Sequence, residues 1–154
     1  TPKEIYDTPS NVFVATFMGS PAMNILPARV VMQDGTPHAE IADAEGVKRT
    51  LRFSQANLAD WAGKDILLGI RPEAITDPEG ADRKSGNIQN LRNRVAITEP
   101  AGSDTFVTMN LSGKDVIARM RADANVAPGQ VFDFAVNMEK AVAFDPKSEE
   151  RIRA

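Results

Sequence analysis

The most informative run of the sequence is FVTMNLSGKDVIARMR, residues 106–121. Apolar side chains occupy every second position on either side of a central Ser-Gly pair: Val107, Met109, Leu111, Val116, Ala118 and Met120. A period of two places these side chains on one face of a β-strand, whereas a helix needs a period near 3.6. The pair Ser112-Gly113 has the composition of a turn. The run therefore predicts a β-hairpin.

Strand patterns continue toward the N-terminus. Residues 66–70, ILLGI, form a continuous apolar run of strand length, which predicts burial on both faces. Apolar and polar residues alternate over 47–53, with Arg49 as the one charged residue among the apolar positions. Residues 28–33 form a short β-branched segment that ends at the turn signal Asp34-Gly35. Residues 54–61 are compatible with either a short helix or a loop.

The C-terminal part has the same character. Residues 78–86 are polar and contain glycine, which predicts an exposed connection. Pro128-Gly129 predicts a turn, and three apolar residues then share one face of a strand: Phe132, Phe134 and Val136. Residues 141–144 predict a short final strand before a charged tail. Short strands at regular turn spacing predict a mostly-β barrel or sandwich, not a parallel α/β sheet.

Residues 1–20 differ from the rest because their pattern is helical. Two cap-then-proline signals, a capping box at 1–4 and the pair Thr8-Pro9, predict short helices. Apolar residues beyond the second signal are paired at i,i+4 spacing: Phe13 with Phe17, and Val14 with Met18. Gly19 predicts the end of this helix. We therefore divide the chain into a helical segment, 1–20, and a β-domain, 21–154.

Composition restricts the function classes. A chain of 154 residues with 42% hydrophobic and 25% charged residues supports one ordinary globular domain. The net charge of −3 argues against a broad nucleic-acid-binding surface, so we interpret the basic spot at 91–94 as a solvated strand. The absence of cysteine excludes disulfides and is compatible with a reducing cytoplasm. The chain begins with Thr1 and not with Met, which predicts that it is a piece of a longer protein.

The residue types that carry chemistry do not assemble into a recognisable catalytic motif. His38 is the single histidine, which cannot supply the two or three imidazoles of a usual zinc site, and we interpret it as a surface-loop residue. Gly63-Lys64 and Gly113-Lys114 lack the upstream glycine of a phosphate-binding loop and predict turns. We therefore predict no catalytic, cofactor-binding or metal-binding residue.

Several segments resemble one family in the same order along the chain. Residues 5–9 and 14–24 resemble the end of the nucleotide-binding domain in the ATP-binding subunits of maltose- and glycerol-3-phosphate-type ABC importers. Residues 68–73, LGIRPE, resemble that family's Gly-Ile/Val-Arg-Pro-Glu motif, and residues 99–105, EPAGSDT, resemble its Glu-x-x-Gly-x-Asp/Glu loop. Pro128-Gly129 and the run Phe144-Asp145-Pro146 match its ending, so the resemblance covers essentially the whole chain.

The resemblance implies a fold and two groups of site residues. The fold is an OB-like barrel, a tandem transport-associated (TOBE) module that follows the ATPase domain and regulates it. One group would form the junction with that domain: Phe13, Phe17, Met18, Gly19, Met23 and Asn24. The other would form a regulatory interface: Arg71, Pro72, Glu73, Glu99, Gly102 and Asp104. Within the second group, we predict an ion pair between Arg71 and either Asp104 or Glu99.

The resemblance also implies partners. The parent subunit would hydrolyse ATP with Mg²⁺ to import a sugar, a polyol or glycerol phosphate, but this fragment is not an enzyme because it lacks the ATP-hydrolysing motifs. Expected partners are a second copy of the subunit, the importer's transmembrane subunits and a cytoplasmic regulator such as enzyme IIA. The expected location is cytoplasmic, peripheral on the inner face of the cell membrane. In an isolated fragment, we expect the apolar residues of the helical segment to cover the barrel or a second copy.

Two alternatives stay open at this point. Related accessory domains in other importers bind oxyanions, so the chain could serve as a sensor for an oxyanion or a sugar phosphate. A free-standing nucleic-acid-binding barrel is the second alternative, which the acidic balance of charge disfavours.

Overall fold

The computed structural model describes residues 9–17 and 22–153. Residues 1–8, 18–21 and 154 lie outside this range, and with them the capping box at 1–4, Met18 and Gly19. The described residues form one short α-helix, α1 (Val12–Phe17), and ten strands. The strands are β1 (Asn24–Gln33), β2 (Thr36–Ala42), β3 (Lys48–Arg52), β4 (Asp65–Ile70), β5 (Ile75–Thr76), β6 (Ile88–Ala101), β7 (Asp104–Leu111), β8 (Lys114–Arg121), β9 (Val131–Asn137) and β10 (Val142–Phe144).

The ten strands form two five-stranded sheets that enclose a common core. The first sheet has the order β10-β4-β1-β2-β3, and the second has the order β5-β9-β6-β7-β8. The strand pairs of the described residues are all antiparallel. The prediction of a mostly-β, OB-like barrel is confirmed.

The predicted hairpin is the β7–β8 pair. Val107 lies opposite Ala118 and Met109 opposite Val116, so the alternating apolar residues face each other across the pair. Ser112 and Gly113 both have positive φ, 51° and 79°, as the tightest hairpin turns require. The apolar face is buried in the core that both sheets share. The hairpin prediction is therefore confirmed.

The β4 prediction is also confirmed, for a topological reason. β4 lies between β10 and β1, so it is hydrogen-bonded on both sides. Ile66, Leu68 and Ile70 face the shared core and are at most 2% exposed. Gly69 and the partly buried Leu67 face a second, smaller cluster under α1. A continuous apolar run suits a strand that is covered on both faces.

Three parts of the sequence interpretation need correction or completion. β1 begins at Asn24, earlier than the predicted 28. Pro27 does not interrupt the strand, because at that position β1 pairs with β4 alone, and pairing with β2 starts only at Arg29. A proline is tolerated there because no partner strand needs its missing N–H. His38 is not in a loop: it lies in β2 and is half-buried. The ambiguous segment contains a 3₁₀ helix, Ala56–Trp61.

Two side-chain carboxamides connect the sheets where strands do not pair. Asn24 of β1 donates its Nδ2–H to the carbonyl of Ile117 (2.8 Å) and accepts from the Ile117 N–H (2.9 Å). Gln89 of β6 binds both backbone groups of Arg52 in β3 in the same way, at 2.8 and 2.7 Å. Each carboxamide replaces the backbone of a missing neighbour strand, so the edge groups of Ile117 in β8 and of Arg52 in β3 are satisfied. We call these contacts the Asn24 clamp and the Gln89 clamp.

The β2–β3 turn ties the two sheets together at another point. The buried Asp43 carboxylate accepts hydrogen bonds from the Val47 N–H and from Arg49 Nε. Burial alone raises the pKa of Asp43, but these hydrogen bonds leave the pKa below its ordinary value of 3.8. The next residue, Ala44, donates its N–H to the buried Asn93 of β6. The turn is thereby held on the second sheet.

Candidate functional site: the junction under helix α1

Helix α1 begins at an asparagine cap. Asn11 precedes the first helical residue, and its Oδ1 accepts the Val14 N–H at 2.8 Å. This is the N-cap geometry, in which a side-chain oxygen satisfies a backbone N–H that has no helical partner. The predicted start at Thr8-Pro9 is therefore wrong, since Pro9 lies before the helix.

One small residue of α1 is fully covered by the barrel. Ala15 is 0% exposed and packs with Met23, Val142 and Phe144, a set that we call the junction cluster. Phe13, which the i,i+4 pattern singled out, is 71% exposed. Of the two expected positions of Phe13, on the barrel or on a second copy, the first is therefore wrong, because the helix turns the Ala15 face toward the sheet; the second stays a prediction. The side chain of Phe17 is outside the described range.

Gly69 of β4 lies directly beneath the junction cluster. A Cβ atom at this position would lie 2.7 Å from Met23 Sδ, 2.9 Å from Phe144 Cε2 and 3.0 Å from Val142 Cγ2. These distances are shorter than carbon contacts of optimal energy, near 3.5–4.0 Å. The glycine of the LGIRPE motif therefore makes room for the residues that hold α1.

Arg71 belongs to the same motif, and its side chain reaches the backbone of α1. It is 3% exposed, and its Nη1 donates to the Ala15 carbonyl at 3.4 Å. The predicted ion pair with Asp104 or Glu99 is wrong: Asp104 pairs with Arg119 across β7 and β8 at 3.0 Å, and among the described residues Arg71 forms no ion pair with the exposed Glu99. The structure therefore connects Arg71 to the helix and not to the β6–β7 hairpin.

The remaining predicted interface residues separate into two places. Pro72 is buried at the first position of a 3₁₀ turn after β4, where its fixed φ suits the turn, and Glu73 beside it is exposed. Glu99, Gly102 and Asp104 lie at the β6–β7 hairpin end, where Glu99 is exposed. Gly102 has φ +68°, which explains the glycine in that turn.

The residue pattern did not single out Asp77, which anchors the connection after the motif. Its carboxylate accepts hydrogen bonds from the Gly80 N–H (3.1 Å) and from Arg121 Nε (2.9 Å). Burial alone raises the pKa of Asp77, but the Arg121 side chain and N–H hold the pKa below its ordinary value of 3.8. The sequence signal was present, because Asp77-Pro78 is a cap followed by proline.

The segment before the barrel is bonded to the segment after it. The Val12 N–H donates to the Glu149 carbonyl at 3.0 Å, and the Arg151 N–H donates to the Ser10 carbonyl at 2.8 Å. The Ile152 N–H then donates to the Ala143 carbonyl of β10. Residues 149–152 thus form a backbone connection between the start of α1 and the first sheet.

The chemistry of this site is that of an interface. Within residues 9–17 and 22–153, no group of three His, Cys, Asp or Glu side chains is arranged to hold a metal ion. No helix in the same range has the length and apolar character needed to cross a membrane. The basic spot at 91–94 is largely neutralised, since Arg92 pairs with Asp133 and Arg94 with Glu45. The apolar cluster and the buried Arg71 form the interface between α1 and the barrel within the chain.

Comparisons with known proteins match almost the whole chain. Residues 19–75 match the family described as the MalK OB fold domain, and residues 68–144 match the TOBE domain family. The oligosaccharides import ATP-binding protein MsmX of Bacillus subtilis is 33% identical, over 99% of this chain and 40% of that protein. The sn-glycerol-3-phosphate import ATP-binding protein UgpC of Chromobacterium violaceum is 35% identical, over 98% of this chain and 37% of that protein. The chain spans about two fifths of the length of these curated relatives.

A solved structure agrees on the fold. The cytoplasmic molybdate-binding protein ModG, with molybdate bound, superposes with a TM-score of 0.51 at 17% sequence identity. The match covers 80% of this chain and 96% of that one. At this identity the likeness concerns the fold alone. The two family matches lead to one assignment: this chain belongs to the family of MalK-type OB and TOBE domains found in the ATP-binding proteins of sugar and glycerol-3-phosphate importers.

Proposed function

We propose that this chain is the regulatory and dimerisation domain of the ATP-binding subunit of an ABC importer for sugars, polyols or glycerol phosphate. The observation that carries the proposal is the family match, whose relatives are named as import ATP-binding proteins and align over almost the whole chain. The junction under α1 supports it, because it presents a short helix that a neighbouring domain can hold in place.

The proposed role is coupling between domains. Arg71 and the junction cluster fix α1 on the rigid barrel, so a movement of α1 is transmitted to the barrel as a whole. A second copy of the subunit that contacts the barrel then biases the open and closed states of the ATPase domains. Coupling free energies of this kind are typically ~1–3 kcal/mol. ATP and Mg²⁺ would bind in the ATPase domain of the parent protein and not in this chain.

The proposed partners follow from the same family. They are a second ATP-binding subunit, the transmembrane subunits of the importer and a cytoplasmic regulator such as enzyme IIA. The proposed location is the cytoplasmic face of the cell membrane. The Glu99 and Asp104 end of the β6–β7 hairpin is the proposed regulatory surface, since Glu99 is exposed there, whereas Asp104 is partly buried and paired with Arg119.

The test uses the intact subunit assembled with its transmembrane partners. Ala15→Asp places a carboxylate in a position that is 0% exposed and is expected to open the junction. Uptake of maltose, glycerol phosphate and a polyol is measured together with ATP hydrolysis. We expect the variant to bind ATP normally but to lose the coupling of hydrolysis to uptake. Gly86→Ala, in the exposed 78–86 connection, is the control and should transport normally.

Two results would contradict the proposal. Uptake by Ala15→Asp that equals the unmodified level would show that the junction does not transmit coupling. Failure of the intact subunit to hydrolyse ATP, or to assemble with any transmembrane subunit, would remove the importer assignment itself.

A further inference from the structure

A cavity of about 260 Å³ lies between the 3₁₀ helix that follows β3 and the C-terminal segment. Leu58 and Val142 contribute apolar walls to it, and both are at most 7% exposed. Two arginines, Arg151 and Arg153, line the same cavity. Its volume falls just below the ~300–1,000 Å³ of ordinary small-molecule sites, so it suits a compact ligand.

The two arginines of this cavity lack a neutralising carboxylate. No ion pair among the described residues includes Arg151 or Arg153, although five arginines elsewhere in the barrel are paired. The Arg151 guanidinium makes no hydrogen bond to a described residue, and its Nε is out of contact with solvent. Burial, with the neighbouring charge of Arg153, lowers the pKa of Arg151. A partly buried cation without an anion is costly and attracts one.

A polar acceptor in the same cavity is also unsatisfied. Gln55 donates its Nε2–H to the Ala141 carbonyl at 2.9 Å, which fixes the orientation of the carboxamide. Its Oε1 is buried and has no hydrogen-bond donor. Most buried polar atoms in proteins have a partner, so an unsatisfied acceptor and an unneutralised cation that line the same cavity mark a place where a ligand can bind. That ligand would carry both an anionic oxygen group and a hydrogen-bond donor.

We propose that the cavity bounded by Gln55, Arg151 and Arg153 binds a small oxyanion that also carries a hydroxyl group, such as a phosphate ester or a hydroxy acid. The guanidinium groups bind the anionic oxygens, because a guanidinium can donate parallel hydrogen bonds to a carboxylate or a phosphate. A small shift of the Gln55 carboxamide lets its Oε1 accept the hydroxyl hydrogen. The apolar walls lower the local dielectric constant and strengthen the ion pair.

The cavity shares residues with the junction under α1, so a ligand bound in the cavity can affect the junction. Arg151 donates its backbone N–H to Ser10, just before α1. Val142 lines the cavity and also belongs to the junction cluster. An anion that draws in the Arg151 side chain therefore acts on the segment that anchors the helix. Binding itself does not depend on the importer assignment and is measurable on this chain alone.

The experiment is calorimetric titration of the chain with inorganic phosphate, glycerol phosphate and glycerate at constant ionic strength, with chloride as the control anion. Thermal unfolding with each anion is the second measurement, because a ligand that binds the folded state raises Tm. We expect saturable binding of glycerol phosphate or glycerate, which distinguishes a phosphate ester from a carboxylate, and weaker binding of inorganic phosphate. Arg151→Met should lower the affinity about ten-fold or more. Gln55→Met should lower the preference for the hydroxylated anion over inorganic phosphate.

Arg83→Met is the matched control, because Arg83 lies on the exposed 78–86 connection, and it should leave the affinity unchanged. Without anion, Arg151→Met should unfold at the same temperature as the original chain or a higher one, since it removes an unneutralised cation. A lower Tm would assign Arg151 a structural role and overturn the proposal. Arg153→Met provides a second test of the site if the Arg151 variant does not fold. The proposal would also be overturned if calorimetry showed no saturable binding of any of the small anions, even if an acidic peptide bound.

Discussion

Gly69→Ala tests the packing of the junction most directly. The added methyl group would lie 2.7–3.0 Å from atoms of Met23, Phe144 and Val142, which are themselves buried. Phe144 is 0% exposed and cannot move without disturbing the cluster, although Met23 has a flexible side chain. Overpacking of this kind lowers the free energy of unfolding by ~1–3 kcal/mol. Replacing glycine also reduces the conformational freedom of the unfolded chain, which raises the free energy of unfolding by ~0.4–1 kcal/mol. We expect a net loss of ~1–2 kcal/mol in the free energy of unfolding.

Urea denaturation followed by circular dichroism measures this loss. With a slope m of ~2 kcal/mol/M, the midpoint should fall by about 0.5–1 M while m stays constant. The matched control is Gly86→Ala, whose Cβ would meet only Glu139 Oε1 at 3.1 Å, the end of a movable side chain. The control should leave the midpoint nearly unchanged.

A double variant separates crowding from other causes. If Met23 is the main obstacle, Met23→Ala should cost clearly less stability in the Gly69→Ala background than in the original chain. Interaction energies between touching residues are ~0.5–3 kcal/mol, which the measurement can resolve. The reasoning would be refuted if Gly69→Ala and Gly86→Ala had equal midpoints, or if the two substitutions at the cluster were strictly additive.

Further predictions concern the clamps, the acid stability and the assembly state. Asn24→Ala should cost ~1–3 kcal/mol because it leaves the part-buried backbone N–H and C=O of Ile117 unpaired. Gln89→Ala should cost less because its hydrogen bond to Arg52 is exposed and water can replace it; the reverse order in urea melts would contradict the clamp interpretation. The pKa of Asp77 in the folded state is below 3.8, so its contribution to the free energy of unfolding is complete above about pH 4–5 and is lost as the pH falls through the folded-state pKa. Asp77→Asn should therefore flatten the acid side of the curve of stability against pH, and the control Asp60→Asn should leave that side of the curve unchanged. Phe13→Asp should lower the mass measured by light scattering if the exposed ring contacts a second copy, and an unchanged mass would reject that contact.

The sequence predicted the strands better than the connections between them. Alternation identified β7 and β8 because each has one face in the core and one in solvent, and an uninterrupted apolar run identified β4 because it is covered on both faces. β1 was predicted too short, from 28, and only the sheet order shows that the strand continues through Pro27, whose missing N–H no partner strand needs.

The residues of the candidate site were harder to predict. The motif pointed to Gly69 and Arg71, but their partner Ala15 has no distinctive property, and a neighbouring phenylalanine gave the stronger helical signal. The pairing of Arg71 with Asp104 was inferred from opposite charge at two strand ends. The register places Arg121 directly opposite Asp104, but Arg121 binds Asp77, and Asp104 pairs with the diagonal neighbour Arg119; charge alone does not encode this arrangement.

The backbone bonds of residues 149–152 to Ser10, Val12 and β10 have a consequence for synthesis of the chain. Ser10 and Val12 are synthesised about 140 residues before Glu149 and Arg151, to which they are hydrogen-bonded. At translation rates of ~5–20 residues per second, α1 waits on the order of ten seconds before its partners exist. During that interval β4 also lacks β10, so one edge of the first sheet is open. Until residues 142–152 are synthesised, neither α1 nor that edge of β4 has its partner from this chain.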